Sequence, residues 1–325
     1  MRGEIPPSSE EQIIFSIPYG CDELGRLESV LLHTPGKALE LINEENHREW
    51  LFDRVPDIPR FVEEHRKYRE LLISHGVKVY ELSDYVYQHS HLIEKMPNLM
   101  YLHDIAVISS RGTILSSMAR EGRKNEEIIV KEALTNLGIP TLIEFDEEDD
   151  FEGCLLLSED TLLVADTERH NDSAIRKFIQ SALRSFKEVI YVNVPQERRY
   201  MHPDTIFNRI RADLAMTYLP AFNETYLFRP GKVRKINFAD FMRKKGVELV
   251  NISDAEQRRL GCSFVPLESG IIFHYDTALE SETRKLLSGK GVEFILFHPE
   301  ALTAGGGSLR CITLRLRRVS IRIAE

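Results

Sequence analysis

Residues 105–118 read IAVISSRGTILSSM, two short aliphatic runs on either side of Arg111-Gly112. Such runs around an arginine–glycine pair read as a β-hairpin. Residues 125–137 follow with helical character and stop at Gly138, and another apolar run occupies 140–145. The module is hairpin, helix, strand.

The same order recurs along the chain. A hairpin at 154–157 and 161–165 turns at Glu159-Asp160 and leads to a helix at 173–186 and a strand at 188–194. The next pairs 205–210 with 214–219 around Ala212-Asp213, ahead of a helix-like 238–245 and a strand at 247–252. Another pairs 263–267 with 270–274, then gives a helix at 281–287 and a strand at 292–297. The opening module has a strand at 27–33, a helical region at 43–75 and a strand at 77–82 after Gly76. It lacks a hairpin partner, which the C-terminal strand at 311–316 can supply. Five units of roughly 50 residues result, the two chain ends completing the first. Closing five units in a ring removes exposed sheet edges, as propellers do. The expectation is one α/β domain over 1–325, built as a closed five-unit ring and preferred to a generic α/β alternation.

The bulk numbers suit an ordinary globular protein, with 42% hydrophobic and 29% charged residues. A formal net charge of −9 argues against a nucleic-acid partner, since there is no basic surplus to displace counterions. Arg315, Arg317 and Arg318 alternate with apolar residues and read as the solvated face of a strand. Cys21, Cys154, Cys262 and Cys311 lie far apart without a CxxC pair, which suits a reducing compartment and argues against structural zinc. The polar opening at 1–11 lacks the apolar core of a signal peptide, and no run is long enough to span a bilayer. A cytoplasmic location is expected.

The C-terminal strand is preceded by GGGSLRC at 305–311. Three glycines permit unusual backbone angles and close approach of a ligand, and Cys311 is placed where loop becomes strand. A buried structural cysteine is the competing reading. The repeat decides between them. Asp104 precedes the first strand of the second unit, Glu152 that of the third, and His202 and Asp204 that of the fourth. Acidic, histidine and cysteine side chains thus recur at one structural position, where a core would be apolar. A histidine can generate or stabilise a thiolate. Three carboxylates around one pocket call for a cation, and a planar guanidinium meets carboxylates in bidentate fashion. A metal would need at least three placed ligands, and His202 with Asp204 supplies two close in sequence. His103 reads as a supporting or surface residue.

These residues sit in stretches that resemble arginine deiminases and the wider guanidine-modifying (amidinotransferase-like, pentein) superfamily. The matching stretches are 43–53 (NEENHREWLFD), 97–104 (PNLMYLHD), 118–127 (MAREGRKNEE), 151–153 (FEG), 168–169 (ER), 201–205 (MHPDT) and 305–313 (GGGSLRCIT). The resemblance implies a five-bladed pseudo-fivefold α/β propeller without an inserted helical domain. It also implies a covalent mechanism in which Cys311 attacks the guanidinium carbon and gives a thiouronium. His202 would act as acid and then base, Asp104 and Asp204 would grip the guanidinium, and Glu152 would hold His202 or the substrate. Asn98, Arg123 and Arg169 would bind the substrate's α-carboxylate or shape that end of the pocket. No metal or organic cofactor is implied. The partners expected are a small guanidino substrate and a second copy of the chain as a homodimer, with no nucleic acid and no membrane. Three positions depart from the pattern: Cys154-Leu155 where Gly-Asp is usual, Ala304 where the glycine loop begins with arginine, and His103 where arginine precedes Asp104. They leave the substrate open between arginine and an arginine derivative. Amidino transfer through the same covalent step, and a non-catalytic guanidino-binding homologue, are the alternatives.

Overall fold

The computed structural model describes residues 16–21 and 24–319, so the polar lead-in read for a targeting signal lies outside the described residues. The module at 105–145 forms as expected. Strands Ala106–Ser109 and Gly112–Leu115 pair antiparallel, and Thr141–Ile143 joins the second of them in parallel. The helix Glu126–Asn136 between them carries the chain back across the sheet, as a parallel pairing requires. Gly112 has φ 126°, and a Cβ there would lie 2.8 Å from the Pro140 carbonyl oxygen, so the third strand enters only beside a glycine.

Four further sheets follow the same plan. Arg26–Leu32 pairs antiparallel with Leu314–Val319 and parallel with Lys78–Glu81, so the two ends of the chain complete one sheet. Phe207–Arg211, Leu214–Thr217 and Glu248–Asn251 form another, and Val265–Glu268, Ile271–Tyr275 and Glu293–Phe297 a third. The last contains Leu155–Ser158, Thr161–Asp166 and Glu188–Asn193. Adjacent units touch through their hairpins: Leu314–Val319 meets Ala106–Ser109, which meets Leu155–Ser158. Phe207–Arg211 meets Val265–Glu268, which in turn meets Arg26–Leu32. Apolar side chains of neighbouring units pack together in four clusters among the described residues. Among the described residues no helix is long and apolar enough to cross a membrane.

Four local expectations need correction. The helical region at 43–75 is a helix only over Ile58–Ser74, because the Asp57 carboxylate accepts the Arg60 N–H and Pro59 suits the first turn. A hairpin, Glu224–Arg229 with Lys232–Ile236, extends the 155–193 sheet to five strands. Its outer strand is exposed and basic, so it lacks the apolar run that marks a strand in sequence. The C-terminal strand starts at Leu314, and Cys311 lies in the turn before it, where the Thr313 N–H donates to the Arg310 carbonyl. Arg315 and Arg318 are not solvated but buried, since neighbouring units cover both faces of that strand. Arg318 donates to the Gly25 and Pro266 carbonyls at 2.8 and 2.5 Å.

Candidate active site

The glycine loop packs on Tyr101. A Cβ on Gly305 or Gly307 would overlap the Tyr101 ring, and one on Gly306, at φ 72°, would meet the Asp53 carboxylate at 2.9 Å. The glycines are therefore required by a close-packed protein side chain rather than by approach of a ligand alone. Their packing delivers Cys311 to the wall of a cavity with about 400 Å³ of empty space, open mouth included. Asn98, Asp104, Arg123, Arg169, His202 and Cys311 all line it.

Asp104 is buried, and Arg123 grips it from two nitrogens, Nη2 donating to Oδ1 at 3.1 Å and Nη1 to Oδ2. Arg123 Nε donates to Glu126 at 2.8 Å and Nη2 to the Tyr101 carbonyl at 2.8 Å. Burial works against the Arg123 charge, but Asp104 and Glu126 outweigh it and hold the guanidinium ionised. Burial pushes the Glu126 carboxyl up to about 8 despite Arg123.

Glu152 is fully buried and accepts from Arg169 Nη1 at 3.1 Å and from His202 Nε2 at 3.1 Å. His202 Nε2 is also 3.3 Å from Asp104 Oδ2. Carboxylates only accept, so Nε2 carries the hydrogen. Burial alone would raise the Glu152 carboxyl, but the Arg169 charge and the His202 hydrogen bond hold it well below the usual carboxylate range. Glu152 is a fixed anion that orients His202. Asp104, Glu152 and His202 present ligand atoms within 4.8 Å of one another, an arrangement that could accept a cation. Two arginines already bond these carboxylates, so a metal ion would have to displace buried cationic hydrogen bonds.

Asp204, expected to grip the guanidinium, is buried and is not among the residues lining the cavity. It accepts from the Ser263 hydroxyl, and Arg310 Nε lies 3.8 Å away. The Ser308 hydroxyl links Ser263, at 2.9 Å, to Cys311 Sγ, at 3.3 Å. Burial pushes the Cys311 thiol up to about 11; the Asp204 charge adds to this, and hydrogen bonds from Ser308 offset part of it. Cys311 is therefore held as a thiol at rest. His103 is buried between Arg310 and Arg315, and burial with those two charges pushes it well below its ordinary value, so it is neutral.

Asn98 donates to the Trp50 and Gly122 carbonyls at 2.9 and 3.2 Å, tying two loops of the cavity rim together. Ala304 is buried and points away from the cavity lining, its carbonyl accepting the Asp53 N–H at 2.8 Å. A cation reaches the glycine loop from elsewhere: Arg198, held by Asp53 at 2.9 Å, lines the cavity mouth. Past Gly306 and Gly307 the mouth opens into an outer chamber whose lining includes Arg198, Arg199, Arg258 and Arg259. Sequence reasoning named Asp104, Glu152 and Asp204 but missed Glu126, Ser263, Ser308, Arg198 and Arg310. The last serine and arginine lie within GGGSLRC, where their nearness to Cys311 was a usable signal.

Comparison with known proteins follows the same lines. A family model described as arginine deiminase matches residues 85–318. The arginine deiminase of Staphylococcus haemolyticus is 22% identical over 404 aligned positions, covering 92% of this chain and 98% of that protein. That alignment is longer than this chain, so the relative carries segments absent here. The complex of AgrE with ornithine and NAD+ superposes with a TM-score of 0.70 at 18% identity, covering 91% of this chain and 40% of AgrE. The chain thus spans about two fifths of AgrE's length. DDAH from Pseudomonas aeruginosa, in a cysteine-to-serine mutant complexed with citrulline, gives a TM-score of 0.65 at 15% identity and covers 89% of this chain and 99% of that one.

Proposed function

The chain belongs to the arginine deiminase family, and on that premise we propose that it hydrolyses the guanidino group of arginine or an arginine derivative to a ureido product. The observation that carries the reading is the meeting of Cys311, His202, Asp104, Arg123 and Arg169 at one cavity from separate parts of the chain. We take residues 1–325 as one catalytic domain and its five sheets as blades about a common axis. The unit-to-unit contacts, ending with Val265–Glu268 against Arg26–Leu32, support the ring.

In this reading the substrate guanidinium competes with Arg123 for the Asp104 carboxylate. Arg123 and Arg169, each drawn off a carboxylate, turn donors toward the substrate's own carboxylate. Cys311 Sγ bonds to the guanidinium carbon as its S–H proton passes to the His202 imidazole, and the carbon–nitrogen π pair moves onto nitrogen. His202 Nε2–H protonates the departing amine, which leaves an S-alkylthiouronium. The same nitrogen then takes a proton from water as it adds to that carbon, and the carbon–sulfur bond breaks to release the ureido product. Glu152 keeps the imidazole aligned through both steps. The buried setting strengthens each electrostatic contact at the carbon.

Incubation with arginine, methylated arginines and agmatine, with assay for ureido product and intact-protein mass spectrometry, tests the reading. A ureido product and an adduct mass on Cys311 are expected. Folded protein that yields neither with any of these compounds would reject it. Product that forms only when glycine or ornithine is added would indicate amidino transfer instead.

A further inference from the structure

Ser308 Oγ has four polar neighbours. The Arg310 and Cys311 amides donate to it at 3.2 and 3.3 Å, Cys311 Sγ lies at 3.3 Å, and Ser263 Oγ lies at 2.9 Å. A serine hydroxyl offers two lone pairs and one proton. The amides take the lone pairs and fix the oxygen, so only the O–H torsion stays free. Ser308 is therefore a donor, and two acceptors compete for its one proton. Ser263 is the first: a carboxylate only accepts, so Ser263 gives its own proton to Asp204 and keeps lone pairs to offer. The sulfur is the second. Both serines are fully enclosed, so bulk solvent takes no part in the choice.

We propose that Ser308 is a catalytic residue whose hydroxyl turns from Ser263 to Cys311 Sγ when the sulfur gives up its proton. The role rests on the hydrolase reading above. While sulfur is protonated, oxygen is the better acceptor and the Ser308 O–H lies toward Ser263. Once the S–H proton has passed to His202, sulfur is an anion, and a hydrogen bond to an ion is the stronger one. The O–H then turns to sulfur without breaking either amide contact, and no proton leaves Ser308. A sulfur lone pair forms the bond to carbon, thiolate and guanidinium charges cancel in the neutral adduct, and the hydroxyl returns to Ser263. Burial and the Asp204 charge oppose the thiolate, and Ser308 offsets part of that opposition during the step that forms it. Ser263 is a positioning residue that holds the hydroxyl aside at rest.

The charged and titratable groups around the thiol are Asp204, Asp104, His202, Arg123, Arg169 and Arg198, with Tyr101 and Tyr275 kept neutral by burial. The test is the rate of Cys311 alkylation by iodoacetamide at one fixed pH below the thiol's midpoint, located by peptide mass spectrometry. It is run on Ser308→Ala, Ser263→Ala and the double variant. Ser308→Ala should slow alkylation by about three- to tenfold, a lost hydrogen bond to an ion partly offset by a more nucleophilic sulfur. Its kcat/KM should fall about tenfold. Ser263→Ala removes the rival acceptor and should speed alkylation, and that gain should vanish in the double variant. Serines with a purely structural role would slow alkylation in both single variants. The assignment is overturned by unchanged or faster alkylation in Ser308→Ala, by unchanged kcat/KM there, by no gain in Ser263→Ala, or by a gain that survives in the double variant. If Ser308→Ala fails to fold, Ser308→Gly takes its place; if Ser263→Ala fails to fold, the Ser308 variant alone decides. Should no guanidino compound be turned over, the alkylation rates still read the turn of the hydroxyl, and the hydrolase reading alone is rejected.

Discussion

Arg123 meets Asp104 in a two-pronged pair inside the cavity, with Nη2 donating to Oδ1 at 3.1 Å and Nη1 to Oδ2. A guanidinium from the protein's own chain thus occupies the carboxylate that would receive a guanidinium from the substrate.

That pairing makes Asp104 a stability residue as well as a binding one. Asp104→Ala leaves the buried Arg123 charge short of a partner and should destabilise the fold by about 3–5 kcal/mol. Urea unfolding measures it. An unfolding midpoint equal to that of the unmodified protein would show that Glu126 alone holds Arg123.

Cys311→Ser removes the sulfur and little else. Turnover should fall by at least ~10³-fold, as for other lost nucleophiles, with stability within about 0.5 kcal/mol. Arginine binding, followed by calorimetry, should persist. Turnover within tenfold of normal would rule out a covalent route.

Glu126 sets a pH dependence whose sign is fixed by its environment. Burial raises its carboxyl from 4.5 to about 8 in the folded protein, so the folded state holds a proton that the unfolded chain has released. The contribution is complete below the unfolded value and is lost as pH rises through about 8. Glu126→Gln should flatten the fall of unfolding free energy across that window by up to about 1.4 kcal/mol per pH unit. Parallel stability curves for the two proteins would contradict the raised value.

Gly305→Ala should force Tyr101 out of its seat, because the added Cβ overlaps the Tyr101 hydroxyl. Overpacking of this kind costs about 1–3 kcal/mol and should also displace Cys311 and reduce turnover. Adding Tyr101→Ala should restore part of the stability. Purely additive losses in the double variant would mean that the two residues do not compete for space.

The arginines of the outer chamber predict a preference for substrates with a second anionic group. Arginyl-glutamate should show a lower KM than arginyl-glutamine, and Arg259→Ala should narrow the gap. Equal KM values for the two dipeptides would leave the chamber without a role in selection.

Much of this was legible in the chain. Gly112, Gly138 and the aliphatic runs around them define the repeat, because local turn and strand chemistry is written in neighbouring residues. The positions of Asp104, Glu152, His202, Asp204 and Cys311 before their strands followed from counting units. The hairpin at Glu224–Arg229 and Lys232–Ile236 did not, since an exposed basic strand looks like a loop. Arg315 and Arg318 looked solvated, because alternation cannot reveal that a second unit covers the polar face.

The sequence by itself singled out Asp104, Glu152, His202 and Cys311 as candidates and showed that the strands after them repeat. Tertiary structure alone decided their partners. Arg123 on Asp104, Arg169 on Glu152, and the line from Cys311 through Ser308 and Ser263 to Asp204 join residues up to 59 positions apart. These partners come from separate units and meet only when the chain folds, so no local pattern carries that information.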